Sequence, residues 1–133
     1  MCIRDRDGTL LTNQIEWNPV CFEHFNSGMM DMLTKEKIHP MIWSPLAGGR
    51  LFTSKEPVYV KALSKIREIA VRHGVEPETI VYAWILYHPA GALPISGSNK
   101  PKRLDRAVKA LDVRLEHHEW YEIYAASGQQ TIR

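Results

Sequence analysis

Three short apolar segments recur along the chain, and each is followed by one or two segments with helical periodicity. The apolar segments cover about residues 10–16, 41–44 and 92–96, and their flanking prolines and glycines predict buried strands. Alternation of strands and helices is typical of βαβ units, in which successive strands run parallel. The pattern therefore predicts an α/β fold, although three strands are too few to close a barrel by themselves.

Five helices are predicted from apolar residues at helical spacing and from start and stop signals. Ser27 is expected to cap the first helix, and Gly74 is a typical stop. Pro77 suits a first-turn position, and the acids Glu76 and Glu78 favour the positive end of the same helix. The body of the third helix is apolar nearly all round, so we expect it to be buried. The predicted helices cover about residues 28–37, 58–73, 76–87, 101–111 and 116–126.

The composition excludes several classes of protein. The formal net charge of +2 and the hydrophobic fraction of 44% are ordinary for a globular domain, and they imply no polyanion partner. No apolar run is long enough to span a bilayer, and the amino end lacks the core of a signal peptide. Because Cys2 and Cys21 show no disulfide pattern, we expect a cytoplasmic protein without membrane attachment.

The two ends of the chain fit neither a helix nor a strand. Four successive charges, from Arg4 to Asp7, neither cap a helix nor alternate as in a strand. We interpret residues 1–7 as a non-native or disordered leader, either an artefact of a truncated reading frame or a frayed native terminus. Residues 128–133 follow the last predicted helix and are expected to form a tail.

Cations crowd the start of the helix predicted over 101–111, directly after the third strand and a Gly-Ser-Asn turn. Helix amino ends carry partial positive charge, so each cation there costs about 0.3 kcal/mol or more unless an anion binds. Backbone N–H groups, the Ser98 hydroxyl and a guanidinium would then converge on a phosphate. The alternative is a solvated basic face without a ligand. The four cations are Lys100, Lys102, Arg103 and Arg106.

Two further features lie on or just after the other predicted strands, at the sheet edge where ligands bind in α/β folds. Trp43 offers a ring that stacks on flat groups, and the glycines of the 45–50 loop let a backbone approach a pyrophosphate. The side-chain amide of Gln14 offers both a hydrogen-bond donor and an acceptor, which match those of a ligand carboxamide. The structural alternatives are a core tryptophan with an ordinary turn, and a buried amide with internal partners. Together, the three features match what a nicotinamide dinucleotide requires.

Three ordered motifs make the interpretation specific. They are Asn13-Gln-Ile-Glu-Trp-Asn-Pro19, Trp43-Ser-Pro-Leu-Ala-Gly-Gly-Arg-Leu51 and Leu93-Pro-Ile-Ser-Gly-Ser-Asn-x-x-x-Arg103. These motifs resemble the carboxyl-terminal third to half of the aldo-keto reductases, especially the bacterial oxidoreductases of that superfamily. The resemblance implies that residues 8–127 are the carboxyl-terminal part of a (β/α)₈ TIM barrel and hold its strands six to eight. It also implies an NADPH/NADP-dependent enzyme that reduces aldehydes or ketones to alcohols without a metal.

The resemblance also implies which residues bind the cofactor. The nicotinamide would contact Gln14 through its carboxamide and Trp43 through its ring. The pyrophosphate would be lined by Ser44, Leu46 and Gly48. The 2′-phosphate and the adenine end would be held by Ser98, Asn99 and Arg103. The other two residues of these motifs that we assign to cofactor binding are Arg50 and Gly97.

The sequence departs from the family pattern in two respects. Arg106 and Ala107 stand where the family often has an acid and an amide that hold adenine, so neither is assigned an adenine contact. The family's catalytic tyrosine, lysine, aspartate and histidine lie on the first four strands, and no tyrosine here matches that motif. We therefore assign no catalytic residue, and we expect the chain to supply cofactor binding without the catalytic tetrad.

Two other functions were weighed against the oxidoreductase. One is an inactive truncated product, and the other is a basic nucleic-acid-binding module that uses the 101–111 helix. A helix-turn-helix needs a short turn before its second helix, whereas a strand precedes this one. We therefore expect a small-molecule carbonyl or alcohol substrate and no nucleic acid, with the oligomeric state left open. No metal is expected at Glu116-His-His-Glu119, because adjacent histidines diverge on a helix.

Overall fold

The computed structural model describes residues 11–129, so the predicted 1–7 leader and most of the predicted tail lie outside the described residues. The strands are β1 (Gln14–Glu16), β2 (Met41–Trp43) and β3 (Leu93–Pro94). A 3₁₀ turn at Ala47–Gly49 follows β2. The helices are α1 (Glu23–Asn26), α2 (Met29–Lys35), α3 (Arg50–Thr53), α4 (Pro57–His73), α5 (Pro77–Tyr87), α6 (Pro101–Lys109) and α7 (His117–Ala126).

The three strands form one parallel sheet in the order β1-β2-β3, which confirms the predicted α/β arrangement. Ile15, Ile42 and Pro94 lie in register across the sheet, and the two isoleucines are buried in the core formed with the helices. Side chains alternate between faces along a strand, so the neighbouring positions point the other way. On that opposite face Trp43 and Leu93 are exposed. The described helices therefore cover one face of the sheet.

The short elements differ from the predictions. Helices α1 and α3 were missed because each has four residues, too few for a periodic pattern. Phe22 at the start of α1 packs edge-on against Trp84 and Tyr124, so tertiary contacts fix this turn. The prediction that Ser27 caps α2 was wrong. Ser27 is the C-cap of α1, and the N-cap of α2 is Gly28, whose φ of 78° is a left-handed conformation that glycine adopts readily.

Helix α5 docks on α7 through two tryptophans that bond each other reciprocally. The Trp84 indole N–H donates to the Trp120 carbonyl at 3.1 Å, and the Trp120 indole N–H donates to the Trp84 carbonyl at 3.0 Å. Their rings stack with centroids 5.2 Å apart. Each buried indole therefore keeps a hydrogen-bond partner while burying a large apolar surface. This pair fixes the position of α5 against α7.

The start of α7 is held by a buried carboxylate. Glu119 accepts a hydrogen bond from the Glu116 backbone N–H at 3.0 Å as part of a capping box, and it contacts His73 Nε2 at 2.8 Å. Burial acts to raise the pKa of Glu119, but the Glu116 N–H and the His73 ring outweigh burial, and the pKa is lowered. The ionised carboxylate therefore joins α7 to the end of α4.

Replacing Trp120 with phenylalanine tests the reciprocal pair. We expect Trp120→Phe to lower the free energy of unfolding by about 2 kcal/mol or more, because a buried hydrogen bond and buried volume are lost. Denaturant unfolding followed by circular dichroism measures the change. The control is Tyr121→Phe on the exposed side of α7, which should stay within about 0.5 kcal/mol of the parent chain. Equal effects of the two substitutions would contradict a specific role for the pair.

The lowered pKa of Glu119 predicts a stability loss in acid. The unfolded chain binds a proton at this group near the ordinary pKa of about 4.3, whereas the folded chain binds it only at lower pH. The stabilisation is therefore present above about pH 4.3 and is lost as pH falls through the lowered pKa. Glu119→Gln should flatten this part of a stability curve measured between about pH 3 and 7. Exposed Glu23→Gln is the matched control and should leave the curve unchanged.

Candidate functional site

A cleft of about 830 Å³ opens beyond the carboxyl ends of β2 and β3. Its walls come from the loop after β2, the start of α5, the turn after β3 and the first turns of α6. This is the sheet edge at which α/β folds bind ligands. The cleft brings together seven of the ten residues assigned to cofactor binding, namely Trp43, Ser44, Leu46, Gly48, Gly97, Ser98 and Arg103.

The other three assigned residues do not line this cleft. The Cα of Gln14 pairs with that of Met41, two positions before Trp43. Gln14 therefore lies nearer the amino end of the strands than the cleft does. Arg50 turns back instead, with Nε 3.3 Å from the Ala47 carbonyl and its guanidinium over the Tyr59 ring. Asn99 is exposed in the turn before α6. Cofactor contacts of these three residues stay predictions.

Trp43 is not a core residue. Trp43 is the last residue of β2, and its side chain lies on the uncovered face of the sheet, where it lines the cleft and is 45% exposed. A tryptophan leaves so much apolar area in water at a free-energy cost unless a ligand or another surface covers it. The core alternative weighed for Trp43 from the sequence was therefore wrong, and the indole presents a flat surface for stacking.

The loop after β2 has an unusual backbone. Ser44 and Ala47 have φ values of 54° and 52°, and Gly48 and Gly49 follow with 62° and 86°. Positive φ costs a non-glycine residue roughly 1 kcal/mol or more, so surrounding contacts must hold this conformation. Side chains at Gly48 and Gly49 would be strained for the same reason, and their absence leaves the loop backbone accessible from the cleft.

Asn18 is the contact that holds this loop, and the sequence analysis missed it. The side chain is 1% exposed, and its Nδ2 donates to the Ser44 carbonyl at 3.2 Å. Its Oδ1 accepts the Val20 backbone N–H at 3.0 Å, which orients the amide. The available signal was an asparagine after a buried strand and before a proline, where a polar side chain needs partners.

Two of the four cations predicted at the start of α6, Arg103 and Arg106, line the cleft. Arg106 also borders a neighbouring depression, together with Lys102 and Asp105. The two arginines share an acid, Glu78, that was interpreted from the sequence only as a helix-start residue. Glu78 Oε2 lies 3.0 Å from Arg106 Nη1, and Glu78 Oε1 lies 3.8 Å from Arg103 Nε. The hydrogen bond to Glu78 raises the pKa of Arg106.

The turn before α6 presents a hydroxyl and an open helix end. The Lys100 backbone N–H donates to Ser98 Oγ at 3.2 Å, which fixes the Ser98 side chain beside the first turn. Helix α6 begins at Pro101 without a side-chain cap among the described residues. The positive end of its dipole is therefore open to a ligand anion. Ser98 and Arg103 therefore line the same cleft, next to the start of α6.

Comparison with known proteins identifies the family of the chain that forms this cleft. The sequence model of the aldo/keto reductase family matches residues 3–127, nearly the whole chain. The chain belongs to the aldo/keto reductase family. The resemblance of its three motifs to this family is thus confirmed, and the matched range includes every residue that lines the cleft.

Several members of the aldo/keto reductase family are similar to this chain. It is 36% identical to the oxidoreductase YdhF of Escherichia coli over 121 residues, which are 90% of this chain and 40% of YdhF. It is 35% identical to a 6-dehydroglucose reductase of Agrobacterium fabrum over 115 residues, 86% of this chain and 38% of that enzyme. The chain therefore spans about two-fifths of the length of the curated relatives it matches.

Solved aldo-keto reductase structures share the fold of the chain. The thermostable aldo-keto reductase Tm1743 superposes with a TM-score of 0.81 at 22% identity, over 93% of this chain and 42% of that one. A point mutant of Gox0644 in complex with NADPH gives a TM-score of 0.68 at 24% identity, over 92% of this chain and 41% of Gox0644. At these identities the superpositions support the fold alone.

The described part of the chain contains neither a membrane-spanning helix nor a cluster of metal-binding side chains. No helix between residues 11 and 129 is both long and apolar enough to cross a membrane. Within the same residues, no three side chains of histidine, cysteine, aspartate or glutamate converge as a metal ion would require. His117 of the Glu116-His-His-Glu119 segment contacts the Tyr87 hydroxyl at 3.3 Å, and His118 pairs with Glu116 at 3.2 Å.

Substitution of Asn18 tests whether its hydrogen bond to the Ser44 carbonyl stabilises the loop after β2. Asn18→Asp keeps the shape of the side chain but replaces the amide donor with a carboxylate that faces the Ser44 carbonyl. We expect the free energy of unfolding at neutral pH to fall by about 2 kcal/mol, because a buried donor is lost and a buried charge is added. Denaturant unfolding measures this loss. Asn26→Asp, on exposed α1, is the matched control, and a comparable loss there would contradict the assignment.

Proposed function

We propose that the chain is the cofactor-binding part of an NADPH-dependent oxidoreductase that reduces aldehydes or ketones to alcohols. The observation that carries the proposal is the single cleft that contains an exposed tryptophan, a glycine loop and a basic helix start together. The Gox0644 mutant of known structure was solved with NADPH, which supports this choice of cofactor. Residues 8–127 would then be the carboxyl-terminal part of the enzyme.

The residues present fit a phosphorylated dinucleotide. Trp43 offers a stacking surface, and Ser98 and Arg103 offer phosphate contacts in the same cleft. The loop that contains Ser44, Leu46 and Gly48 also lines this cleft and would hold the pyrophosphate through its backbone. A volume of about 830 Å³ is within the range of cofactor sites.

The bound NADPH would supply a hydride, and the described residues would orient it. Holding reacting atoms at about 3–3.5 Å lowers a barrier by roughly 7–11 kcal/mol relative to free reactants. We assign no proton donor among the described residues, whose tyrosines all lie on α4, α5 and α7. The carbonyl substrate would therefore be protonated by a group outside the described part of the chain.

We further propose that β1, β2 and β3 are strands six, seven and eight of a (β/α)₈ barrel. The support is the parallel order of the strands, the helices on one face, and the exposed Trp43 and Leu93 on the other. In a complete barrel of about 250 residues the uncovered face points inward and is filled by side chains from other strands. Gln14 shares this face and would approach the nicotinamide from inside the barrel.

Arg103→Ala tests the cofactor assignment. We expect this substitution to weaken NADPH binding about tenfold or more, since a charge-assisted bond to the 2′-phosphate is lost, whereas NADH binding should change by less than about twofold. Isothermal titration calorimetry of the 133-residue chain with each dinucleotide measures both constants. 2′,5′-ADP should compete with NADPH because it contains the same phosphate.

Arg114→Ala is the matched control, since Arg114 is exposed and lies outside the cleft. It should leave both dissociation constants unchanged. Equal weakening of NADPH and NADH by Arg103→Ala would contradict the 2′-phosphate role, and a parent chain that binds neither dinucleotide would overturn the proposed function.

A further inference from the structure

Glu78 lies between the two arginines of the cleft and contacts both. The Glu78 side chain is 11% exposed, whereas the side chains of Arg103 and Arg106 are 53% and 35% exposed. The carboxylate is therefore covered while the guanidinium groups remain open to the cleft. All three side chains line the cleft, so an anion that enters it meets two exposed guanidinium groups and a carboxylate that is mostly covered.

Glu78 is held in place by its position on α5. It follows Pro77 in the first turn, where the helix dipole favours a carboxylate. The next residue, Thr79, is fully buried, and its Oγ1 donates to the Arg106 carbonyl at 3.0 Å. Helix α5 thus holds Arg106 twice, once through its backbone and once through its guanidinium. Such restraint reduces the rotamer entropy that an arginine loses on binding an anion.

The charged side chains around Glu78 remain net positive. Arg103 and Arg106 lie three positions apart on one face of α6, and Glu78 provides a single negative charge against the two. Arg67 on α4 also lines the cleft, as does Glu76 at the start of α5. A phosphate monoester, with a charge between about −1.5 and −2 at neutral pH, is favoured by more than one cation.

On the basis of the proposed NADPH-binding function, we propose that Arg106 is a second cationic contact for the cofactor's 2′-phosphate and that Glu78 is the positioning residue for both arginines. Arg106 donates one side of its guanidinium to Glu78 and presents the other N–H groups to the ligand. The three residues together select NADPH over NADH. If Glu78 merely neutralised the arginines, its removal would strengthen NADPH binding. The positioning role predicts weaker NADPH binding instead, so the two roles predict opposite changes in NADPH affinity.

The test measures NADPH and NADH dissociation constants for the 133-residue chain and its variants by isothermal titration calorimetry. We expect Arg106→Ala to weaken NADPH about tenfold and NADH less than about twofold. Glu78→Gln keeps the side-chain shape but loses the ion pairs, and NADPH should weaken about fivefold with NADH unchanged. In the Arg106→Ala background, Glu78→Gln should have a smaller effect, because the two residues act together.

Two further variants keep the result interpretable. Lys109→Ala removes a positive charge from the same helix outside the cleft, and it should leave the ratio of NADPH to NADH affinity unchanged. Arg106→Lys retains the charge but loses the planar fork, so it should weaken NADPH about threefold even if Glu78→Gln fails to fold. Circular dichroism of each variant monitors folding.

The outcomes separate the two levels of the proposal. Unchanged NADPH affinity in both Arg106 variants overturns the second phosphate contact, while a loss in Arg103→Ala preserves the proposed function. Tighter NADPH binding by Glu78→Gln overturns the positioning role. A parent chain that binds NADPH and NADH equally, or binds neither, overturns the proposed function and this inference with it.

Discussion

The burial of helix α5 determines where the cleft's charged groups lie. Every residue from Glu78 to Ile85 is buried, and α5 packs against α4, α6 and β3. A closely packed helix cannot rotate without opening cavities and forcing side chains out of their rotamers. The reciprocal Trp84–Trp120 bonds add direction to this packing. The first turn of α5 is therefore fixed, and α6 is held to it through Glu78 and Thr79.

The other wall of the cleft depends on a buried hydrogen bond in addition to apolar packing. The loop after β2 contains two non-glycine residues, Ser44 and Ala47, at positive φ, and a loop with so much backbone strain persists only when its neighbours stabilise it. The buried Asn18 amide does so from the end of β1. The loop after β2 is thus held both by the core and by a side-chain amide, at the carboxyl ends of two parallel strands.

The sequence predicted best what local patterns encode. Helices α4 and α5 begin and end within about one residue of the predicted bounds, because apolar periodicity and the markers Pro77 and Gly74 coincide there. The class of fold followed from the alternation of these helices with strands. Contacts between distant positions were not predicted: Glu78 and Arg106 are 28 residues apart, and nothing in either local pattern indicates their pairing. Glu78 was therefore explained by the helix dipole alone, and Arg106 as a departure from the family.

The Glu78–Arg106 ion pair changes how the positive charges at the start of α6 are compensated. From the sequence, the cations near the start of α6 indicated either a bound anion that offsets the helix dipole or a solvated basic face. In the structure, Lys102 is exposed beside a separate depression, where water screens it, and Arg106 is largely compensated by Glu78. The charge left for a ligand is mainly that of Arg103 together with the open side of Arg106. Because a single carboxylate cannot neutralise two guanidinium groups, the cleft retains an attraction for a phosphate while its protein charges stay ordered without one.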